Sequence, residues 1–324
     1  MKWRNVFVTG CAGFIGSHLC ELLVSQGAGV NGCDDLSVGR KEYLSAVLDK
    51  PGFDFQRLEI LEAKDLSEAM RGAEVVFHLA ANPDVRQGEH DPWIHLEQNL
   101  LVTHRVLEAM RAAGVRRIVF PSTSTVYGDA NVIPTPESYG PLKPISLYAS
   151  SKSAAEATIS AYCHTFDMSA VILRLANVVG PRSTHGVTYD FVQKLLKAPK
   201  ELEVLGDGTQ NKSYVHISDT LAGFIAAAER CRERVGIYNI GSSDQVDVRT
   251  IARIVMEEMG LSDVKIRYTG GVDGGRGWKG DVKVMLLSTR KLQRLGWRQQ
   301  YSSADAVRAT AKALSVYQSP NNLL

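Results

Sequence analysis

Apolar and polar positions keep two rhythms through the first half of this chain. Short apolar-rich runs stand at Val6 to Val8, Gly29 to Cys33, Phe53 to Leu58, Val75 to Leu79, Arg117 to Phe120 and Ala170 to Leu175. Their length fits strands of a sheet covered on both faces. Longer stretches with helical spacing separate them, chiefly Phe14 to Gln26, about Asp91 to Ala113 and about Leu147 to Asp167. Strands alternating with helices predict an α/β fold with a doubly wound parallel sheet. After Asn177 the rhythm loosens. Glycines and prolines recur, helices shorten (near Tyr189 to Lys197, Ser218 to Arg230 and Val248 to Gly260) and strands are brief, which predicts a smaller C-terminal α/β lobe. Only Ser319 to Leu324 reads as a loose end.

The most informative stretch is Thr9-Gly10-Cys11-Ala12-Gly13-Phe14-Ile15-Gly16, directly behind the first strand and opening the first helix. Glycines at 10, 13 and 16 allow a tight turn and keep β-carbons away from a ligand approaching the backbone N–H groups. The helix N-terminus adds a dipole that favours a pyrophosphate. Asp34 closes the second strand 24 positions after Gly10, near the spacing of a carboxylate that binds an adenosine ribose. Together these predict a Rossmann dinucleotide site, with Asp35, Leu36, Ser37 and Gly39 completing the cofactor loop. Two adjacent carboxylates repel a 2′-phosphate, and Arg40 is a single cation behind them, so NAD is expected over NADP. The expected division is an NAD-binding domain over 1–176, joined by parts of 209–240, and a substrate-binding lobe over 177–208 and 241–324.

Composition narrows the setting. The chain has 324 residues, 44% hydrophobic and 22% charged, the make-up of an ordinary globular protein. With 37 Lys and Arg against 35 Asp and Glu, the net charge is +2, which gives no electrostatic footprint for nucleic acid or an anionic membrane. Five scattered cysteines without a CxxC pair suit free thiols of a reducing cytoplasm. The first strand begins too near Met1 for a signal peptide, and no apolar run nears the roughly 18 residues of a membrane span. The histidines are dispersed, so no metal site is expected.

Reaction chemistry is suggested where the fifth strand ends, in Phe120-Pro121-Ser122-Thr123-Ser124-Thr125-Val126-Tyr127-Gly128. Twenty-five residues past Thr123 stands Tyr148, with Lys152 at i+4 on the same helix face. A phenol ionises near pH 10, too high for a base at neutral pH, and a neighbouring ammonium favours the phenolate. Such a pair can take a proton from an alcohol as hydride leaves its carbon, with a Ser or Thr hydroxyl orienting the oxygen. Glu156, also at i+4 from Lys152, offers that lysine a plain ion pair instead.

These motifs, with His78-Leu79-Ala80-Ala81 and Asn99, resemble the extended short-chain dehydrogenase/reductase family, and within it nucleotide-sugar epimerases of the UDP-glucose 4-epimerase kind. The resemblance runs from about Val6 to Trp297. It implies that Thr123 is the active-site hydroxyl, Tyr148 the acid/base and Lys152 the ribose-binding residue that lowers the tyrosine's pKa. Gly10, Gly13, Phe14, Ile15, Gly16 and Asp34 would hold the dinucleotide, Glu59 and Ile60 would flank adenine, and Leu79, Ala80, Ala81 and Asn99 would line the groove. Substrate candidates are Asn82, Arg86, Asn177, Arg182, Val187, Lys212, Tyr214 and Arg276, beside Thr123 and Tyr148. Lys212 stands where the family usually has an Arg, Glu59 replaces an Asp, and two extra residues separate Arg276 from Gly280-Asp281. Met285 falls near a position that helps set sugar size in relatives. The family also implies a homodimer through the two long helices, which here carry Leu100, Leu101, Val106, Leu107, Ile159 and Tyr162.

Ser124 and Thr125 occupy the places where related dehydratases and decarboxylases carry carboxyl groups. Without a second acid/base, oxidation followed by re-reduction is the expected chemistry. The reading is an NAD-dependent epimerase of a UDP-sugar, interconverting UDP-glucose and UDP-galactose through a 4-keto intermediate. A UDP-glucuronate 4-epimerase is the alternative, since Arg86, Arg182, Ser183, Thr184 and His185 could face a C6 carboxylate. A net oxidoreductase that releases NADH and a non-catalytic NAD-binding protein are the further readings.

Overall fold

A computed structural model describes residues 2–317, so the loose end expected at Ser319 to Leu324 lies outside the described residues. Strands form at the apolar runs: β1 (Asn5–Thr9), β2 (Gly29–Asp34), β3 (Phe53–Arg57), β4 (Val75–His78), β5 (Arg117–Thr123) and β6 (Ser169–Leu175). With the strand Val235–Ile240 they make one seven-stranded sheet, ordered Val235–Ile240, β6, β5, β4, β1, β2, β3. The pairs around β1, β2–β3 and β4–β5 are parallel. The winding reverses between β1 and β4, the switch point at whose carboxyl edge doubly wound sheets bind ligands. Thr9, Asp34, His78 and Thr123 all end strands there.

The chain divides into two compact units, one of residues 1–123, 147–174 and 224–238, the other of 124–146, 175–223 and 239–324. The first is built on the sheet. Phe7, Val76, Ile118 and Phe120 pack against Val106, Leu107, Met110 and Ile159 of the helices, all buried. Each such side chain contributes about 1.5–3 kcal/mol of burial. In the second unit, helices Val187–Lys197, Val248–Glu258 and Ser303–Tyr317 share a core of Phe191, Leu195, Ile251, Val255, Val307 and Leu314. Short strands complete it, Asn177–Val179 running parallel to Tyr214–His216 and Asn211–Lys212 lying between Val246–Asp247 and Val284–Met285.

The long helix expected over Asp91 to Ala113 is instead three segments. Asp91 caps a turn at Pro92–His95 through the Trp93 N–H at 3.1 Å, wide π turns follow over Leu96–Leu101, and a regular helix spans Val102–Ala113. Where the regular helix resumes, the Thr103 hydroxyl donates to the Asn99 carbonyl at 2.6 Å. The helix from Leu147 ends at Thr165 rather than Asp167, because Asp167 takes the left-handed conformation at φ 58°. Strand β5 runs three residues beyond Phe120, so Ser122 and Thr123 belong to the strand and Ser124–Tyr127 forms a tight turn.

Candidate active site

The three glycines of the first turn do different work. Gly10 has φ +67°, and a β-carbon there would lie 2.7 Å from the Ala80 nitrogen, so only glycine lets β1 pass the chain leaving β4. A β-carbon at Gly16 would run into the Gly10 carbonyl. Gly13 is the N-cap of helix Phe14–Ser25 with ordinary extended backbone (φ −74°), and no side chain caps that helix. Its bare N–H groups suit an anion at the dipole's positive end, which is the fit a pyrophosphate requires.

Asp34 is buried, and both of its oxygens are engaged: Oδ2 accepts from the Ala12 N–H and Oδ1 from the Leu36 N–H, each at 2.9 Å. Burial pushes its carboxyl above the usual range, partly offset by those two N–H groups, while Asp35 adds to the rise. Asp35 caps Ser37 through its N–H and hydroxyl at 2.8 and 2.7 Å, and Leu36 between them is held at φ 65°. Gly39 lies against this turn; a β-carbon would stand 2.6 Å from Asp34 Oδ1. Leu58 donates to the Asp34 carbonyl at 3.0 Å, after which Glu59 is exposed and Ile60 is buried in the core.

A chain of polar groups runs beneath the edge. His78 shares hydrogen bonds with Thr9 Oγ1 at 2.8 Å and Thr103 Oγ1 at 3.0 Å, and burial pushes its imidazole down to about 3, with Lys152 adding to the drop. Thr9 Oγ1 also accepts from the Ala80 N–H at 3.1 Å, fixing the half-buried stretch Leu79, Ala80 and Ala81. Asn99 accepts from the Asn82 N–H at 2.8 Å and donates to the Asn82 carbonyl and Ser151 Oγ. The π turns are what place Asn99 in this position, a common use of such widened helices.

Thr123, Tyr148 and Lys152 come together in the first unit. Tyr148 is half-buried and Lys152 nearly fully buried. Burial pushes the phenol up to about 12, while a side-chain hydrogen bond with Thr123 pulls the other way. Burial pushes the Lys152 ammonium down to about 7, opposed by Glu156. The Nζ of Lys152 sits 3.9 Å from the centre of the Phe120 ring, a cation–π contact. The His95 ring stands edge-on to Tyr148 with centroids 5.7 Å apart. Glu156 is taken by Arg174, Nη2 to Oε2 at 2.7 Å, and by the Ser122 hydroxyl. Sequence reasoning missed this clamp and His95. Glu156 was expected only as an ion-pair partner of Lys152, and Arg174 stands as a charge inside the apolar run of β6.

Of the substrate candidates, Asn82 is in the same unit and buried, its Nδ2 donating to Gln87 at 2.9 Å. Arg86 is exposed and lies 3.7 Å from Asp84. The others stand in the second unit. Asn177 donates to the Ser213 carbonyl at 3.3 Å, Arg182 is held at φ 66°, Val187 opens its helix, and Tyr214 is packed in the second core. Lys212 meets Asp281 at 2.5 Å and lies 5.7 Å from the Trp278 ring, beside Met285 on the neighbouring strand. Arg276 forks onto both oxygens of Asp129 at 3.0 Å and also reaches the Asp281 carbonyl. No group of three or more potential metal ligands exists among the described residues.

A parallel sheet with a glycine turn at its switch point and a Tyr-x-x-x-Lys helix beside a strand-end hydroxyl defines the class: a dinucleotide-dependent enzyme of the extended short-chain dehydrogenase/reductase type. Comparison with known proteins carries this further. The chain belongs to the NAD dependent epimerase/dehydratase family, whose model matches residues 6–241. It is 33% identical over 316 residues to a UDP-glucose 4-epimerase of Mycolicibacterium smegmatis, covering 95% of this chain and 97% of the relative. A solved UDP-galactose 4-epimerase shares 41% identity at a TM-score of 0.85, with 97% of this chain and 100% of the other covered. A UDP-glucuronic acid 4-epimerase from Bacillus cereus, solved with UDP-glucuronic acid and NAD, shares 28% identity at a TM-score of 0.87, covering 96% and 99%.

Proposed function

We propose that this protein is a UDP-glucose 4-epimerase, interconverting UDP-glucose and UDP-galactose through a 4-keto intermediate with NAD as cofactor. The observation that carries the proposal is the grouping of Tyr148, Thr123 and Lys152 at the sheet edge, with hydroxyls and no carboxyl group at Ser124 and Thr125. Gly10, Gly13, Phe14, Ile15 and Gly16 would hold the pyrophosphate and Asp34 the adenosine ribose. Asp35, Leu36, Ser37 and Gly39 would frame that ribose, with Glu59 and Ile60 beside adenine and Leu79, Ala80, Ala81 and Asn99 along the groove. Bound NAD supplies a hydride acceptor that can return what it receives. Thr123 orients the sugar O4, and Tyr148 takes its proton as C4 is oxidised. After the 4-keto sugar turns, Tyr148 gives the proton back and C4 is inverted. Lys152 supplies the positive charge that the phenolate needs.

Asn82, Asn177, Arg182, Val187, Lys212, Tyr214 and Arg276 would contact the sugar nucleotide. Asp281 and Asp129 hold Lys212 and Arg276 in place, which limits the cost of ordering two long side chains. The glucuronate reading draws on the Bacillus cereus relative; of its candidate partners for a C6 carboxylate, Arg86 is exposed and already beside Asp84, while Arg182, Ser183, Thr184 and His185 stand in the second unit. Tyr148→Phe tests the proposal. Epimerisation should fall by at least about 100-fold, the scale of a lost acid/base group, with folding and NAD binding retained. Near-normal turnover would place the base elsewhere.

A further inference from the structure

Tyr148, Lys152 and Glu156 recur at four-residue intervals along the helix Leu147–Thr165, which puts them on one stripe. The last of them is clamped. Arg174 from β6 donates Nε to Oε1 and Oε2 at 3.1 and 3.2 Å and Nη2 to Oε2 at 2.7 Å, and Ser122 from β5 donates to Oε1. Lys152, Glu156, Arg174 and Ser122 are each at most 6% exposed. The Lys152 Nζ rests on the Phe120 ring, against which the ring of His78 from β4 also stacks, and burial pushes that imidazole down to about 3. With Lys152 protonated, charge alternates through the buried row: Arg174 positive, Glu156 negative, Lys152 positive, then the phenol that must become negative.

We propose that Glu156 is a positioning residue for the acid/base pair: fixed by Arg174 and Ser122, its carboxylate keeps Lys152 an ammonium directed at Tyr148. This rests on reading Tyr148 and Lys152 as that pair. The physical argument is one of unpaired charge. Without the Glu156 carboxylate, two cations share one dry region, and the protein relieves this by losing a proton. A guanidinium does not give one up, so Lys152 must. Burial already depresses its ammonium, and Glu156 is the group that opposes that loss. A neutral amine no longer stabilises the phenolate.

The test follows the Lys152 side chain directly by NMR of lysine-labelled, cofactor-free protein, its resonance identified by loss in Lys152→Arg. In Glu156→Gln its titration midpoint should fall by about one pH unit or more, and the alkaline limb of kcat/KM should move to lower pH with it. Glu156→Asp, which keeps the charge, should leave the midpoint near that of the wild type. Arg174→Met, which leaves the carboxylate to Lys152 alone, should raise it and serves if Glu156→Gln does not fold. A packing role alone would lower kcat at every pH and leave the midpoint in place, and that result overturns the proposal. Its failure is separable from failure of the acid/base reading: normal turnover in Tyr148→Phe removes the latter, while the Lys152 midpoint still reports on Glu156.

Discussion

Both oxygens of Asp34 already accept a backbone N–H, one from Ala12 and one from Leu36, leaving about two of a carboxylate's four acceptor positions for ribose hydroxyls. Its orientation is therefore the quantity that matters, and Gly39 guards it. A β-carbon 2.6 Å from Oδ1 forces the carboxylate to move. Gly39→Ala is thus expected to weaken NAD binding by about tenfold, roughly one charge-assisted hydrogen bond, with little change in melting temperature. Calorimetric titration checks this, and unchanged affinity would show that Asp34 is not held by the turn. At this scale much of the candidate site was legible in the sequence. Gly10, Asp34, Thr123, Tyr148 and Lys152 are fixed by spacing around strand ends, and spacing survives in a linear chain. The Glu156–Arg174–Ser122 clamp was not, because its members come from three elements that only folding brings together.

Helix positions were legible because apolar residues recur at helical spacing, but spacing does not report which turns widen. The segment Leu96–Leu101 keeps its apolar pattern while the backbone opens around Asn99. The same elements bear on assembly. Val106, Leu107 and Ile159, three of the apolar residues these helices carry, are spent in the protein's own core. The helical elements at 92–101 and 147–165 instead expose Trp93 at 55%, Leu96 and Leu101 at 37% and Leu147 at 45%. Trp93, Leu96 and Leu101 on one segment and Leu147 on the other leave apolar surface that a second copy of the chain would cover. We infer a homodimer paired through these segments. Light scattering should give twice the chain mass, and Leu101→Lys should shift it toward the monomer; a monomer at micromolar concentration would contradict the pairing.

Over the whole molecule, the alternation of strand and helix foretold the parallel sheet, whereas the strand Val235–Ile240 joins β6 from 60 residues further along, outside that alternation. No described helix is long and apolar enough to cross a membrane. The central claim is that hydride leaves C4 and returns within one turnover. Its most direct measurement incubates the protein with UDP-galactose, follows C4 inversion by NMR, and records reduced cofactor by absorbance in the same sample. The account predicts a UDP-glucose and UDP-galactose mixture reached from either sugar, no net accumulation of NADH, and a kcat/KM for UDP-galacturonic acid at least about tenfold lower, a gap of roughly 1.4 kcal/mol in transition-state binding. Stoichiometric NADH without inversion, or a tenfold preference for the uronic acid, would contradict it.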